Sequence, residues 1–257
     1  MTETKGLLSC TKCKHLLDGE TCQSGINVWG DGGSLRLENN PAVWGAQHAS
    51  VYLLGFSKGS TQNQELLKVQ AGLANFEDIP FKGMRNRLQL LLEALGLIDD
   101  GKVDSLFSSS EKRIQSASLV RCSLSAAKSG DKYSYKMKDI LNADPSLLRE
   151  VAGNCVEAHL GEAKPGSLFI LLGLDAKYIK LCKQVMSKVF GSISPITETT
   201  YRAGSMWVAH AAHPSSNQTD PQYKRWVYGE TQKPKVIWAR NVVGESGVLN
   251  EPVNKSV

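Results

Sequence analysis

The run Ser167-Leu-Phe-Ile-Leu-Leu172-Gly173 constrains the fold more than any other stretch of the chain. Five apolar residues in a row, stopped by a glycine, fit a strand buried on both faces. A helical pattern over 176–190 follows, with Ile179, Cys182, Val185, Met186 and Val189 on one face. Lys177, Lys180, Lys183 and Lys188 fall mostly on the other, so Cys182 reads as core.

The same alternation recurs along the chain. Val51–Leu54, Ala117–Arg121 and Ser205–Ala209 read as strands, and Gln62–Val69, Met84–Leu95 and Ser146–Leu160 as helices, the second stopped by Gly96. Residues 14–50 and 99–112 read as irregular, and 125–138, rich in Lys, Ser, Gly and Tyr, as a surface insertion. Strands interleaved with helices predict an α/β fold, a three-layer sandwich with a mainly parallel central sheet. One domain over 1–243 and a tail over 244–257 are expected. At 257 residues, 41% hydrophobic and 21% charged, the chain has the composition of a soluble globular protein with a sizeable core. No apolar run is long enough to span a bilayer, and MTETKGLLSCTKC has no signal-peptide pattern. The expectation is a cytoplasmic monomer without membrane contact. A net charge of +5 permits a polyanionic partner without requiring one.

Chemistry concentrates at the ends of these strands. His210-Ala-Ala-His213-Pro214-Ser215-Ser216-Asn217 follows the 205–209 strand. Pro214 lacks a ladder N–H and the serines favour turns, which puts an imidazole at the carboxyl end of a strand, where open α/β sheets place their ligand crevice. Alone, this reads more readily as a surface strand-to-turn joint. Gly55-Phe-Ser-Lys-Gly59, between strand and helix, can cradle an anion but matches neither the dinucleotide fingerprint nor the Walker loop. Ile79-Pro-Phe81-Lys-Gly83 is a second loop ahead of a helix. Cys10-Thr-Lys-Cys13 is a C-x-x-C pair shared by zinc, iron–sulfur and redox sites, with Cys22, Cys122, Cys155 and Cys182 available as further ligands.

Taken in order, these motifs over about residues 10–220 resemble the uracil-DNA glycosylase superfamily. They are closest to its iron–sulfur, family 4-like branch. The resemblance implies that Cys10, Cys13, Cys122 and Cys155 hold a 4Fe–4S cluster, with a structural zinc as the alternative and Cys22 and Cys182 left over. It implies a DNA partner containing a damaged or deaminated base, which is flipped into a pocket where its N-glycosidic bond is hydrolysed in base-excision repair. His213 would donate to the departing base, Phe81 would stack on it, and the loop of Gly55, Phe56, Ser57 and Gly59 would lie along base and sugar. Gly83 would help to shape the stacking loop, Ser118 would meet the base edge, and Ser215, Ser216 and Asn217 would contact phosphates or the groove.

The departures from the family pattern matter equally. Family 4 carries Glu directly after the first glycine, where this chain has Phe56. Other branches carry Asp or Asn one position later, where Ser57 stands. An Asn that reads uracil is replaced by Ser118. The usual acidic or amide residue is thus missing, Asp78 is a substitute acid to consider, and uracil specificity is not implied. Two alternatives stay open: a catalytically inactive, nucleic-acid- or nucleotide-binding member of the same fold, and an unrelated α/β protein whose cysteines form a zinc knot.

Overall fold

The computed structural model describes residues 6–46, 49–99, 103–129, 132–215 and 234–249. In chain order the strands and helices are β1 (Gly6–Leu7), β2 (Glu20–Gln23), β3 (Ile26–Trp29), β4 (Leu35–Glu38), β5 (Ala42–Gly45), β6 (Val51–Lys58), α1 (Ser60–Gln70), α2 (Arg85–Ala94) and β7 (Ile114–Lys128). Then come β8 (Lys132–Ser134), α3 (Met137–Ala143), α4 (Pro145–Leu160), β9 (Leu168–Leu172), α5 (Ala176–Phe190), β10 (Ile193–Pro195), β11 (Thr200–Ala203), β12 (Met206–Ala211) and α6 (Pro234–Glu245).

The architecture is mixed α/β around one large sheet. Its core, in the order β12-β9-β6-β7, is parallel throughout. Antiparallel strands extend both sides, β11 and β10 beyond β12, and β4, β3 and β2 beyond β7. All five residues of β9 are buried, as expected for a strand paired on both edges and covered on both faces. Fully burying each Leu, Ile or Phe of that strand contributes about 1.5–3 kcal/mol. Neighbouring residues of β6 serve different cores: Tyr52, Leu54 and Phe56 pack with α3, α4 and α5, while Val51 and Leu53 pack with α2 and α6. Asp144 caps α4 through the N–H groups of Ser146 and Leu147 (3.1 and 3.0 Å), with Pro145 in its first turn.

Several expectations need correction. Residues 14–50 are not irregular, because β2 to β5 lie there and bury Trp29 and Trp44. The strand expected at 117–121 runs over Ile114–Lys128, so Cys122 sits inside it rather than beyond its end. The segment 125–138 is no surface insertion: β7 continues into it and turns back through β8. The strand expected at 205–209 extends to Ala211 and includes His210. Helix α6 runs to Glu245, and Val248 after it is 2% exposed. Among the described residues no helix is long and apolar enough to cross a membrane.

Candidate functional site

The strand order sets the place of the site. From β6 the chain moves to β7 on one side, then returns past β6 to β9 and β12 on the other. That reversal at β6 is a topological switch point, and open α/β sheets bind ligands at the carboxyl ends of the strands there. A cleft of about 850 Å³ opens at that place, a volume typical of small-ligand pockets. Gly55, Phe56, Ser57 and Gly59 line it from the end of β6, Ser118 from β7, Phe81 from the loop before α2, and His213 and Ser215 from the turn after β12.

Each element presents its residue for a local reason. Gly55 and Ser118 are register partners on adjacent parallel strands, and a Cβ on Gly55 would lie 3.8 Å from Ser118 Oγ. Phe81 has a φ of 55°, a left-handed backbone that costs an aromatic residue about 1–3 kcal/mol. The loop holds it there, with Lys82 N–H bonded to Ile79 O (3.2 Å), Met84 N–H to Phe81 O (2.8 Å), and the ring 5.9 Å from that of Phe107. Phe56, where relatives of the resembled family carry an acid, lies edge-on to Tyr178 at 5.5 Å and is 5% exposed.

The two histidines near the end of β12 hold opposite tautomers. His213 Nδ1 is 3.0 Å from Ser215 N and 2.6 Å from Ser215 Oγ. A backbone N–H only donates, so Nδ1 accepts and the neutral ring carries its proton on Nε2. Burial, helped by the charge of Arg87, pushes the His213 pKa down to about 4, although part of the ring remains open to solvent. His210 is 0% exposed. Its Nδ1 lies 3.1 Å from Gly173 O, a carbonyl that only accepts, so here Nδ1 bears the proton and Nε2 faces Tyr201 OH at 3.4 Å. Burial holds the His210 pKa at about 3. His210 thereby braces the backbone of Gly173, which itself lines the cleft.

Gly83 is brought elsewhere: it is exposed and lines a neighbouring hollow with Asp78, Lys82 and Arg87. Phe81 and Gly83 both have left-handed backbones, and the chain returns to the cleft wall at Met84. Asp78 shares that hollow and is no part of the cleft. Ser216 and Asn217 lie outside the described residues. Sequence reasoning missed much of the wall, including Trp44, Met84, Ser116, the segment Leu172–Asp175 and the segment Tyr133–Met137. Asp175 is the only carboxylate on the wall among the described residues, and its Oδ1 already accepts the N–H groups of Lys177 and Tyr178 (2.8 and 3.2 Å) as the cap of α5. The glycine after the apolar run of β9 was the available signal for that segment.

No protein-family model matches the chain, and no curated protein matches it. Among solved structures it is similar to the crystal structure of wild-type SMUG2 from Pedobacter heparinus, at 11% identity and a TM-score of 0.39, covering 79% of this chain and 76% of that one. The functional reading rests on the cleft itself.

Behind the cleft lies a second cluster. A negative charge on Cys155 or Cys10 pushes the Cys13 thiol up, to about 12 with burial as the main cause. Cys155, Cys13 and Cys10 all push Cys122 up, again after burial, and Cys10 pushes Cys155 up. Each pair among these four thiols is thus linked electrostatically. Cys13 Sγ–H points to Val151 O (3.7 Å), Asn154 Nδ2 donates to Lys12 O (3.2 Å) and Arg121 N–H to Cys155 Sγ (3.1 Å), which ties the N-terminal loop, α4 and β7 together. Among the described residues no group of three or more His, Cys, Asp or Glu side chains is set to hold a metal ion. One feature of this region lacks a counterpart: Lys58 is 1% exposed and its Nζ has no hydrogen-bond partner among the described residues. Burial pulls its pKa down to about 8 against the opposing pull of Cys122 and Cys155.

Proposed function

We propose that this protein is a DNA glycosylase of the uracil-DNA glycosylase type, a hydrolase that takes a damaged or deaminated base into the cleft and cleaves its N-glycosidic bond. The observation that carries this reading is convergence: His213, Phe81 and the Gly55–Gly59 segment, far apart in sequence, line one cleft, whose volume of about 850 Å³ has room for a nucleotide. A flipped base would stack on Phe81, a contact worth about 1–3 kcal/mol. As the bond to the sugar breaks, its electron pair goes to the base, and Nε2–H of His213 would stabilise the oxyanion on a base carbonyl. Water adds at the sugar carbon and gives up a proton that ends on the departed base, which completes the hydrolysis, and Ser57 would orient that water. A neutral imidazole suits this role, because it donates without itself being an acid strong enough to be consumed at neutral pH.

The four coupled thiols would hold a 4Fe–4S cluster, with zinc as the alternative occupant. Two features are compatible with an anionic metal–thiolate group: buried thiols whose charges act on one another and an unpartnered buried lysine that feels the charge of two of them. When bound, such a group would supply cross-links between the N-terminal loop, α4 and β7, while the cleft residues carry the hydrolysis.

A second reading is favoured by Phe56 and Asp175. The first loop offers no carboxylate, and the one on the wall is engaged as a helix cap. On that reading the chain is a catalytically inactive module that binds an altered base or nucleotide. An abasic-site assay on oligonucleotides carrying uracil, hypoxanthine or xanthine separates the two. Strand scission at abasic sites that falls roughly 100- to 1,000-fold in His213→Gln supports the enzyme. Binding without scission supports the module, and neither would remove both readings.

A further inference from the structure

We infer that Lys58 is the built-in counter-charge of an anionic metal–thiolate group held by Cys10, Cys13, Cys122 and Cys155, and that it couples this group to the first loop of the cleft. The inference rests on the reading of those cysteines as a ligand set.

Lys58 is the last residue of β6, directly after Ser57 on the cleft wall. The parallel register with β7 slips between these two residues: Ser57 pairs with Val120, but Lys58 pairs with Ser123. The extra residues are Arg121 and Cys122 on β7, and the irregularity leaves Lys58 paired with the chain neighbour of Cys122. A buried ammonium without a partner is destabilising by several kcal/mol, and methionine could fill the same space without that cost. The residues nearby do not resolve this. Arg121 adds positive charge, and the carboxylate of Glu38 already accepts from Arg36 (2.8 Å), Tyr135 (2.5 Å) and Asn63. Protonated thiols bring no compensating charge. Four thiolates around a dicationic ion or cluster core leave a dianion, so a loaded site would provide what the empty one lacks, whichever metal it holds. Ser57 stays on the cleft while the next side chain of β6 takes the opposite face, as alternation along a strand requires.

The test compares wild-type protein with Lys58→Met, both purified anaerobically, for iron and zinc content and for the rate at which a chelator removes the metal. Loss of a supporting contact next to a metal site typically weakens retention roughly 10- to 100-fold, and metal loss in Lys58→Met is expected to quicken by that order. Melting of the metal-stripped proteins is expected to run the other way, with Lys58→Met the more stable of the two. Metal retention equal to wild type would overturn the inference alone, as would a variant that stays unfolded whatever metal is supplied. Wild-type protein with neither iron nor zinc would overturn the ligand set and the inference together.

Discussion

Ser215 donates its backbone N–H to Nδ1 of His213 across 3.0 Å, and that bond decides where the imidazole keeps its proton. With Nδ1 committed as an acceptor, Nε2–H is the donor the ring can offer. The neutral ring persists down to its pKa of about 4. Cleavage is therefore expected to stay level from roughly pH 8 to pH 5 and to fall only as pH drops through the His213 pKa. Folding carries the same signature. His213 and His210 titrate at about 4 and about 3 in the folded protein, against 6.5 ordinarily, so the unfolded chain binds more protons on acidification. The stability tied to their neutral forms is complete above 6.5 and is lost as pH falls toward the folded values. Urea unfolding across this range checks it: about two protons should be taken up on unfolding near pH 5, and about one in His213→Gln.

Phe81 combines a strained backbone with a buried ring, and the two features can be tested apart. Phe81→Leu keeps the left-handed φ and an apolar contact with Phe107 but removes the flat face. The melting temperature should change little, whereas affinity for an oligonucleotide with an altered base should fall roughly tenfold or more, the equivalent of losing one stacked base. Equal losses of stability and affinity would reduce Phe81 to a loop anchor.

The parts of the site that could be read in the sequence are those where an apolar run is broken, even where, as at Gly55, the strand itself continues to Lys58. Gly55, His213 and the C-x-x-C pair interrupt apolar or regular runs, and the interruption is itself the signal. The parts that could not be read lack this contrast. Strands β2 to β5 are four residues each, and β4 buries Arg36 and Glu38, which erases any simple alternation. Their polarity is satisfied by long-range partners such as Tyr135, 97 residues away, which no local window contains. The continuation of β7 is written in Ser and Ala, small residues that suit a crowded strand and a loop equally. The Tyr133–Met137 wall was missed for the same reason, since its place depends on β8 folding back along β7.

The cysteines divide four from two, and this makes a sharp chemical prediction. Protein purified without oxygen should show the broad visible absorbance of an iron–sulfur cluster. Cys122→Ser should abolish it, while Cys22→Ser and Cys182→Ser should leave it intact. Cys22 is exposed on β2, and Cys182 is 0% exposed in the core on α5. Stoichiometric zinc without visible absorbance would replace the cluster by its alternative, and loss of metal in Cys182→Ser would break the assignment of the four.

Gly173 gives the most local test of how the scaffold shapes the cleft. It follows β9, its N–H bonds to Ala211 O at 2.7 Å and its carbonyl accepts from His210, so both sides of the residue are clamped to the end of β12. A Cβ at this position would fall 2.6 Å from Cδ1 of Tyr178, whose ring is itself 0% exposed. Neither neighbour has room to retreat, because Tyr178 packs against both Phe56 and His210. Overpacking of this kind typically costs about 1–3 kcal/mol. Gly173→Ala should therefore lower the melting temperature, and the cheapest relief is for the Gly173 segment to swing into the cleft, which should weaken base binding beyond what the stability loss explains. Ala209→Gly, one strand away and outside the cleft, is the control: it should cost stability while leaving affinity at the wild-type level.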